Sequence, residues 1–478
     1  MVAVMDDPCP ADSDLPVRVP LATRPMGIWQ SLRTARRNLL ELIPAIATRQ
    51  PMVSGRVGKR WHMVMDPEAL RHILKDRLAD YPKSDVTKLI LRPAIGDSLF
   101  VAEGAHWHWQ RRAAAPAFAP RHVEALAPVM TAAAGHAAET LAAHVAAGTG
   151  EPVNVHDAMV AATFAVISDV TFSGSGPIDR AAVHRAIDAY IAQTAKVSLL
   201  DILGAPAFVP RPARLASGPA MRSMKRMADA AIGARRQSGA RPVPDLLDLL
   251  LTGADPETGR RMTTAELRDN LLTFIVAGHE TTALTLAWAL YLCAFDQRVQ
   301  DRARAEARAV LGGRAATVGD LPRLGFVRQI IDETLRLYPP AAFLSRTAAR
   351  DDRLCGREVR RGDTVMLPIY ALHRHHLLWH DPDRFDPGRF DPGRFDPGGS
   401  GAGGSGGNPS ADRFAYLPFG AGPRICIGAA FALQEAVIIL ATLLARLRFL
   451  PLPGRAPRPV LILTLRPEGG VWLQVSDA

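Results

Sequence analysis

The sequence predicts a mainly α-helical chain with small β-sheets, and three observations support this. From about residue 120 to 350, apolar residues recur at helical spacing in sequence rich in Ala, Leu and Arg. Strand signals are short and lie near the two ends of the chain, in 55–65, 360–370 and 460–475. Hydrophobic residues make up 48% of the 478 positions, which is enough to bury a large core.

Short sequence signals predict individual helices and strands, taken here from the N-terminus onward. The segment 27–44 is amphipathic and basic, which favours a surface helix over docking on a membrane. Residues 55–65 favour strand structure with a turn, and Asp66 and Pro67 then mark a helix as N-cap and first helical residue. The apolar window Thr285–Leu292 is flanked by charged residues, so it predicts a buried helix and no transmembrane segment. The last segment, VLILTLRPEGGVWLQV, predicts a closing hairpin.

The chain is expected to form one domain. Residues 1–24 hold no apolar run long enough for a signal peptide, and they are predicted to be a flexible N-terminal segment. A single domain should occupy 25–478. Residues 396–410 contain seven glycines, so a low-complexity Gly/Ser-rich loop is predicted at about 391–411. It does not separate two domains, because informative motifs lie on both sides of it.

Charge and cysteine usage narrow the partners and the compartment. The formal net charge is +10, spread along the chain without a long Lys/Arg block or a nucleic-acid-binding motif. An acidic protein partner is therefore favoured over nucleic acid. The cysteines lack the paired spacing of a metal site or a disulfide framework, and they are Cys9, Cys293, Cys355 and Cys426. A reducing compartment, the cytoplasm, fits this usage.

The strongest local signal is a glycine-rich loop that ends in Cys426 and leads directly into a helical pattern. Gly420 and Gly422 allow the loop to turn tightly, and Gly428 would let a flat ligand approach closely. Backbone N–H groups and the dipole at the helix start favour a thiolate. A thiolate held in this way can ligate haem iron.

This loop resembles the signature of the cytochrome P-450 superfamily of haem-thiolate monooxygenases. The matching residues are Phe419, Gly420, Gly422, Arg424, Cys426 and Gly428. The resemblance implies haem b (iron protoporphyrin IX) as cofactor, with Cys426 as the axial iron ligand and Arg424 on a haem propionate. It also implies the family's fold, a triangular prism with a long central oxygen-binding helix and a cysteine haem loop.

A second motif lies in a long helical pattern that opens with a capping box of Thr263 and Glu266. In its middle, residues 277–282 read Ala-Gly-His-Glu-Thr-Thr, which resembles the family's (A/G)-G-x-(D/E)-T-T motif. The resemblance implies that Thr281 hydrogen-bonds the bound oxygen and that Glu280 helps to relay protons to it.

In the same motif, Ala277 and Gly278 would leave room for oxygen and substrate. His279 occupies the variable position and receives no catalytic role. Taken without the other motifs, this pattern equally fits a kinked core helix whose polar groups are satisfied.

A third motif pairs Glu333 with Arg336 on one helix face, followed by Leu-Tyr-Pro-Pro. It resembles the family's E-x-x-R helix, in which a second arginine from a downstream P-x-R-F segment completes a buried network. The run RFDPGRFDPGRFDPGG at 384–399 offers two candidates for that arginine. Spacing from Trp379 favours Arg389, and Arg394 is the alternative.

Further haem contacts follow from the resemblance. The segment around Trp107 and Arg111 resembles the family's W-x-x-x-R helix, whose Trp and Arg lie near a propionate, and Arg346 is a third candidate. A cluster of histidines invites a metal site, but its loop setting and lack of carboxylates disfavour one. These histidines are His373, His375, His376 and His380.

The implied activity is insertion of one atom of molecular oxygen into a hydrophobic small molecule such as a fatty acid, terpenoid or aromatic. By position in the family, Ala342, Phe343 and Leu344 should line the pocket, and parts of 82–100 and 190–215 should cap it. Only about fifty residues follow Cys426, so a separate acidic ferredoxin or flavodoxin is the expected electron donor. A hydrogen-peroxide-dependent peroxygenase and a non-catalytic haem-thiolate sensor stay open as alternatives.

Overall fold

The computed structural model describes residues 15–57, 59–148, 150–172, 218–392 and 412–477. Within these ranges the α-helices are α1 Ile28–Arg37, α2 Pro67–Arg71, α3 Asp85–Ile95, α4 Gly104–Ala114, α5 Pro120–Ala125, α6 Ala127–Ala146, α7 Val155–Phe172, α8 Gly218–Ser238, α9 Leu246–Thr252, α10 Thr264–Phe295, α11 Gln297–Leu311, α12 Gly325–Leu337, α13 Ile369–Leu372 and α14 Ala429–Arg446. The strands are β1 Met52–Val57, β2 Lys59–Val64, β3 Val153–Asn154, β4 Leu344–Thr347, β5 Asp352–Leu354, β6 Arg357–Val359, β7 Thr364–Leu367, β8 Leu447–Pro451, β9 Arg458–Leu461, β10 Leu465–Glu468 and β11 Trp472–Asp477. The prediction of a mainly α chain with small sheets is confirmed.

Helix α10 is the central element of the core. The predicted capping box is present: Glu266 N–H donates to Thr263 Oγ1 at 3.3 Å, and Thr263 N–H donates to Glu266 Oε2 at 2.9 Å. The helix runs 32 residues, roughly 48 Å at 1.5 Å per residue. From Thr282 to Ala294 every side chain is buried, because α7, α8, α12 and α14 all pack against it. This burial agrees with the prediction for the apolar window.

The start of α2 also follows the sequence. The Asp66 carboxylate accepts a hydrogen bond from Ala69 N–H at 2.9 Å, and Pro67 occupies the first turn, where a backbone N–H would have no partner. A single π-helical turn, His72–Asp76, continues from α2. This turn packs against the loop that precedes Cys426, so the capped start of α2 helps to fix that loop.

The largest described sheet has the strand order β1-β2-β7-β4. Strands β1 and β2 form an antiparallel hairpin, β2 runs parallel to β7, and β7 pairs antiparallel with β4. The strand signals suggested sheets confined to the two ends of the chain, but this sheet joins strands from residues 52–64 with strands from residues 344–367. The N-terminal hairpin is completed by strands that follow α12, and this sheet carries Arg346 on β4.

The closing segment contains an antiparallel hairpin, formed by β9 and β10, and the chain then continues into another sheet. Strand β10 pairs with β9, in the register Leu465↔Leu461, but β11 joins β8 and β3 in another sheet. Gly469 and Gly470 between β10 and β11 have positive φ angles of 75° and 87°. A Cβ on Gly470 would lie 2.3 Å from the Asn154 side chain. The glycines therefore let the chain pass close to β3 instead of folding back on β10.

The described part of the N-terminal segment, residues 15–24, is packed against the core. Tyr291 OH accepts from Val17 N–H at 3.0 Å, and Tyr370 OH accepts from Val19 N–H at 2.9 Å. Val19 is buried. Residues 15–24 thus contact the core through buried tyrosine hydroxyls, and the flexible segment expected for 1–24 stays a prediction.

One helix within the described ranges, α14, is long and apolar enough by length and composition to cross a membrane. Two-thirds of that stretch, 67%, is buried inside the protein. It packs against α6, α10 and α11 as a core helix. Its apolar composition is accounted for by that packing.

Candidate active site

The cysteine loop is a tight backbone turn held against the π-helical turn. Gly420 and Gly422 have positive φ angles of 71° and 70°. A Cβ on Gly422 would lie 2.1 Å from the Leu74 carbonyl oxygen, so only glycine fits there. Cys426 N–H donates to the Phe419 carbonyl at 2.9 Å and closes the loop. Helix α14 then begins at Ala429, with Gly428 as its N-cap.

The Cys426 thiol lies in a recess, because it has accessible surface although protein atoms surround it closely. Burial raises the pKa of this thiol, and the Gly428 N–H and the Arg111 guanidinium lower it in part. The expected bias toward a thiolate at the helix start is therefore outweighed by desolvation when protein groups act alone. A bound metal cation would supply the missing positive charge, since thiolate ligands bind deprotonated.

Three basic side chains, Arg424, Arg346 and Lys83, lie beside this recess near the Glu103 carboxylate. The Arg424 guanidinium stacks on Trp107, 4.4 Å from the ring centroid, and forms an ion pair with Glu103. Arg346 belongs to the same cluster, because Arg424 and Glu103 both affect its pKa, and burial with the Arg424 charge lowers that pKa to about 10. Lys83 pairs with Arg346 through a backbone bridge, and burial and both guanidinium groups lower its pKa well below the usual range.

This cluster fits the two propionates of a haem. Arg346 Nε and Arg424 Nη1 are buried and have no hydrogen-bond partner among the described residues. Glu103 forms ion pairs with Arg424 and Lys88, so the two buried guanidinium groups of Arg346 and Arg424 are left with less than one full carboxylate, and carboxylate groups of a ligand would neutralise them. Lys83 was missed by sequence reasoning. No local signal marks it, and only the pairing of its segment with β4 brings it to Arg346.

The middle of α10 has two different faces. Ala277 and Thr281 are four residues apart, on one face, and both have accessible surface although most of the helix is buried. Thr281 Oγ1 donates to the Ala277 carbonyl at 2.8 Å, inside its own helix. Gly278 faces elsewhere: a Cβ there would meet Ile167 of α7 at 3.3 Å. Its small size therefore serves the close approach of α7 rather than a pocket.

Phe118 links this accessible face to the cysteine loop. Its ring packs edge-on against Phe274, one turn before Ala277, with the centroids 5.1 Å apart. It also lies 3.9 Å from the position of a Cβ on Gly428. The accessible face of α10 and the recess at Cys426 are thus neighbours of the same phenylalanine. A flat group held by Cys426 would face Ala277 and Thr281.

Glu280 points away from that face. Thr464 Oγ1 donates to Glu280 Oε1 at 2.8 Å, and Arg466 Nη2 donates to the same oxygen in an ion pair. Both partners belong to the β9–β10 hairpin and its turn. The carboxylate is buried, with 8% of its side chain exposed. The acid and the alcohol of the motif are neighbours in sequence, about 100° apart around α10, and Glu280 is turned toward the hairpin.

The Glu-Arg pair forms a buried network. Arg336 donates from Nε and Nη2 to the two carboxylate oxygens of Glu333, at 2.7 and 2.8 Å. Both side chains are fully buried. Arg336 Nη1 also donates to the carbonyls of His373 and Pro382. Each buried charge is therefore paired, which is the condition under which such groups are tolerated.

Arg389 is the third member in the structure. Its Nε lies 3.3 Å from Glu333 Oε1, and Nη2 donates to the Asp381 carbonyl at 2.8 Å. Asp386 N–H donates to the same Glu333 oxygen at 2.9 Å, so the segment Trp379–Arg389 wraps around that carboxylate. Arg394, the alternative, and most of the predicted Gly/Ser-rich loop lie outside the described residues. The choice of Arg389 stays a prediction.

His373 connects this network to the cysteine loop. Its Nδ1–H donates to the Arg336 carbonyl at 3.1 Å, and its Nε2 accepts from Leu417 N–H at 2.9 Å. Burial and the nearby Arg336 charge lower the pKa of His373 to about 3, so the ring is neutral. Among the described residues no cluster of His, Cys, Asp and Glu could hold a metal ion. His373, one of the four clustered histidines, is therefore accounted for by its hydrogen bonds to two backbone groups.

The predicted pocket residues are not equivalent. Ala342 is completely buried, and its carbonyl accepts from Tyr370 N–H at 3.1 Å. It therefore lines no open pocket, because its surroundings are filled by core side chains. Phe343 and Leu344 keep accessible surface at the start of β4. Of the two predicted capping segments, 82–100 contains α3, and 190–215 lies outside the described residues.

Comparisons with known proteins show the family of this chain. The family model described as Cytochrome P450 matches residues 20–474. The cyclooctat-9-en-7-ol 5-monooxygenase of Streptomyces melanosporofaciens is 33% identical over 92% of this chain and 90% of its own length. Cyclooctatin synthase from the same organism is 30% identical over 90% of each chain. A crystal structure of the cytochrome P450DA haem domain has a TM-score of 0.76 at 28% identity, over 90% of both chains.

Proposed function

The chain belongs to the cytochrome P450 family, and on that premise we propose which of its residues serve the reaction. It is a cytochrome P450 monooxygenase with haem as its cofactor. Haem with a thiolate ligand supplies the activation of molecular oxygen. We assign the iron ligand to Cys426. One observation carries this assignment: an accessible cysteine at a helix start lies beside a cluster of cations that has too few carboxylates.

The residues around Cys426 would hold the cofactor. Arg424, Arg346 and Lys83 would bind the propionates, and Trp107 would support the Arg424 guanidinium by stacking. Arg111 would contribute positive charge near Cys426. Phe419, Gly420 and Gly428 form the loop on which a flat group would rest, and Ala277 leaves space on the opposite side.

The substrate would be a hydrophobic small molecule. Phe343 and Leu344 offer accessible apolar surface beside the cation cluster, which is typical of a pocket with few polar groups. A relative that matches 92% of this chain is named cyclooctat-9-en-7-ol 5-monooxygenase. Bulky alicyclic alcohols of that kind are therefore the first substrates to test.

A separate acidic protein would supply the electrons. Lys75, on the π-helical turn that packs against the cysteine loop, is exposed and has no ion-pair partner among the described residues. Arg71 and Arg413 are exposed on neighbouring segments, with Arg71 in an ion pair with Asp76. This basic face suits a ferredoxin or a flavodoxin. A cytoplasmic location fits the free thiols of Cys293, Cys355 and Cys426.

Two spectra test the assignment. Reduced protein with carbon monoxide should show the Soret band characteristic of thiolate ligation, and Cys426→Ser should abolish it. Conversion of the haem spin state on adding candidate alcohols should then rank the substrates. If the band persists in Cys426→Ser, the ligand assignment is wrong. Cys355→Ser, which changes an exposed cysteine elsewhere, serves as the matched control.

The peroxygenase alternative is supported by one observation. Glu280 is held by an ion pair with Arg466 and a hydrogen bond from Thr464, and a peroxygenase does not need the acid–alcohol pair. Turnover driven by hydrogen peroxide alone that survives Thr281→Ala would favour it. Turnover that requires an electron donor and is lost in Thr281→Ala would support the monooxygenase relay instead.

A further inference from the structure

An exposed serine on the β1-β2-β7-β4 sheet has a buried histidine and a buried aspartate behind it. Ser54 of β1 and His62 of β2 lie directly opposite each other in the antiparallel pair, so their side chains share one face. Asp363 immediately precedes β7, which runs beside β2. Ser54 is exposed, whereas His62 and Asp363 are only 4% and 6% exposed. The motifs that resemble the P-450 family contain none of these three residues.

The three side chains form one hydrogen-bonded chain. Ser54 Oγ lies 2.8 Å from His62 Nδ1, and His62 Nε2 lies 3.1 Å from Asp363 Oδ2. The Asp363 carboxylate also accepts from Arg60 Nε and Nη2, at 3.2 and 2.7 Å, and from the Arg360 N–H at 2.8 Å. Burial raises the pKa of Asp363, but these hydrogen bonds lower it overall, so the carboxylate is ionised at neutral pH.

The direction of each hydrogen bond follows from that negative charge. An ionised carboxylate can only accept, so His62 Nε2 carries a hydrogen and donates to Asp363. When the ring is neutral, Nδ1 is then an acceptor, and the Ser54 hydroxyl is the group that donates to it. A hydroxyl that donates to a histidine held by a carboxylate is the arrangement that activates a serine as a nucleophile.

Positive charge lies beside the serine. Arg56 and Arg60 form the next cross-strand pair on the same face, two residues along each strand from Ser54 and His62. Arg56 is exposed, and Arg60 keeps 29% of its side chain exposed although it pairs with Asp363. Guanidinium groups at this place would stabilise negative charge that develops next to Ser54, either on an acyl oxygen or on a leaving group.

These residues are separate from the haem site. In the strand order β1-β2-β7-β4, Ser54 lies on one edge strand, and Arg346 of the cation cluster lies on the other. Three inter-strand spacings of about 4.8 Å put roughly 14 Å between those edges. A reaction at Ser54 is therefore expected to leave the contacts of the cation cluster unchanged.

We propose that Ser54 is a nucleophile that accepts an acyl group from activated acyl donors. His62 is the general base, and Asp363 is the residue that positions His62. The donors are aryl esters or thioesters, because their leaving groups depart as anions, which the charges of Arg56 and Arg60 favour. This inference does not depend on the proposed monooxygenase function.

The reaction is an acyl transfer without oxidation or reduction. Ser54 Oγ forms a bond to the acyl carbon, and the bond from that carbon to the leaving oxygen or sulfur breaks. The hydroxyl proton passes to His62 Nδ1 and from there to water. The electron pair of the broken bond departs with the phenolate or thiolate, so the products are an acyl ester of Ser54, an anion and a proton.

The experiment uses p-nitrophenyl acetate and the haem-loaded protein. Peptide mass spectrometry measures the acetylated fraction of each serine over time, and absorbance measures the p-nitrophenolate released. Ser238 is the internal control, because it is exposed and its hydroxyl donates to the Arg235 carbonyl rather than to a histidine. The variants are Ser54→Ala, His62→Gln and Asp363→Asn. Thermal unfolding and the carbon monoxide spectrum check that each variant is folded and holds haem.

We expect Ser54 to be acetylated at least about 100-fold faster than Ser238, since a positioned general base contributes roughly 10²–10⁴-fold. Ser54→Ala should abolish the fast release of p-nitrophenolate and leave the carbon monoxide spectrum and monooxygenase turnover unchanged. His62→Gln should slow acetylation of Ser54 by about 100-fold. Asp363→Asn should slow it by about tenfold or more, because the ring loses the partner that fixes its tautomer.

The proposal is overturned if Ser54 of the parent protein is acetylated no faster than Ser238. It is equally overturned if a folded His62→Gln protein acetylates Ser54 at the parent rate, because the serine would then react without the base. The comparison of the two serines needs no substitution. It therefore decides the proposal even if His62→Gln and Asp363→Asn do not fold.

Discussion

At the scale of single residues, Glu333 organises the segment that leads to the cysteine loop. Its buried carboxylate accepts hydrogen bonds from the guanidinium groups of Arg336 and Arg389 and from the backbone N–H of Asp386. Removing one partner of a buried ion pair is more costly than losing a surface pair, because the remaining charge stays desolvated. Replacing Arg389, the third member of this network, should therefore lower stability even though a second copy of its sequence follows.

We predict that Arg389→Ala lowers stability by about 3 kcal/mol and prevents most haem incorporation. The reason is that Glu333 loses a cationic partner, and the carbonyls of His380 and Asp381 lose their donor. The measurements are the ratio of Soret to protein absorbance and the thermal midpoint. Arg394→Ala, from the second copy of the repeat, is the matched control and should be mild. The reverse outcome would shift the register by one copy.

At the scale of elements, His373 joins α12 to the cysteine loop through two backbone groups, the Arg336 carbonyl and the Leu417 N–H. The ring must be neutral to accept from Leu417. Its pKa is lowered to about 3 by burial and by Arg336, whereas an exposed histidine titrates near 6.5. Between about pH 3 and about pH 6.5, His373 is therefore protonated in the unfolded chain but neutral in the folded chain.

The unfolding free energy should consequently fall as pH drops from about 6.5 toward 3, by up to about 1.4 kcal/mol per pH unit from this histidine. His373→Gln keeps a donor and an acceptor but does not titrate, so it should reduce the slope. Thermal unfolding of the haem-loaded protein between pH 5 and pH 7.5 measures this (roughly the range in which histidine titrates). Equal slopes in the two proteins would contradict the assignment. His376→Gln, a neighbour in the same histidine cluster, is the control.

At the scale of the whole molecule, the net charge of +10 includes an exposed basic face beside the cysteine loop. Lys75 lies on the turn that packs against that loop, so a partner docked there would be close to Cys426. Exposed charges at the rim of an interface mainly change the association rate and its dependence on salt.

We predict that Lys75→Glu raises the KM for an acidic electron donor by about fivefold at low salt, with a smaller effect at high salt. Substrate-induced spectral shifts should stay unchanged, because the pocket lies elsewhere. Arg298→Glu, which reverses a charge at the start of α11, is the matched control. Equal effects of the two reversals would indicate a response to net charge rather than docking on this face.

Much of the site could be predicted because its signals are local. The turn at Gly420 and Gly422, the capping box at Thr263 and the three-residue spacing of Glu333 and Arg336 each follow from backbone geometry within a few residues. The mainly helical class follows from apolar periodicity, which local packing enforces. These local features were enough to predict the family and the fold, both of which are confirmed, and to predict the cysteine loop as the haem-binding element.

Only the tertiary structure decided which distant groups meet. Lys83 reaches the cation cluster through a bridge to β4, and Arg466 reaches Glu280 across 186 residues of chain. Sequence spacing cannot reveal such pairs, because the positions that pack together depend on the whole arrangement of helices and strands. The sequence therefore determined the chemistry of the cysteine loop, and tertiary packing decided that Glu280 pairs with Thr464 and Arg466 near the end of the chain.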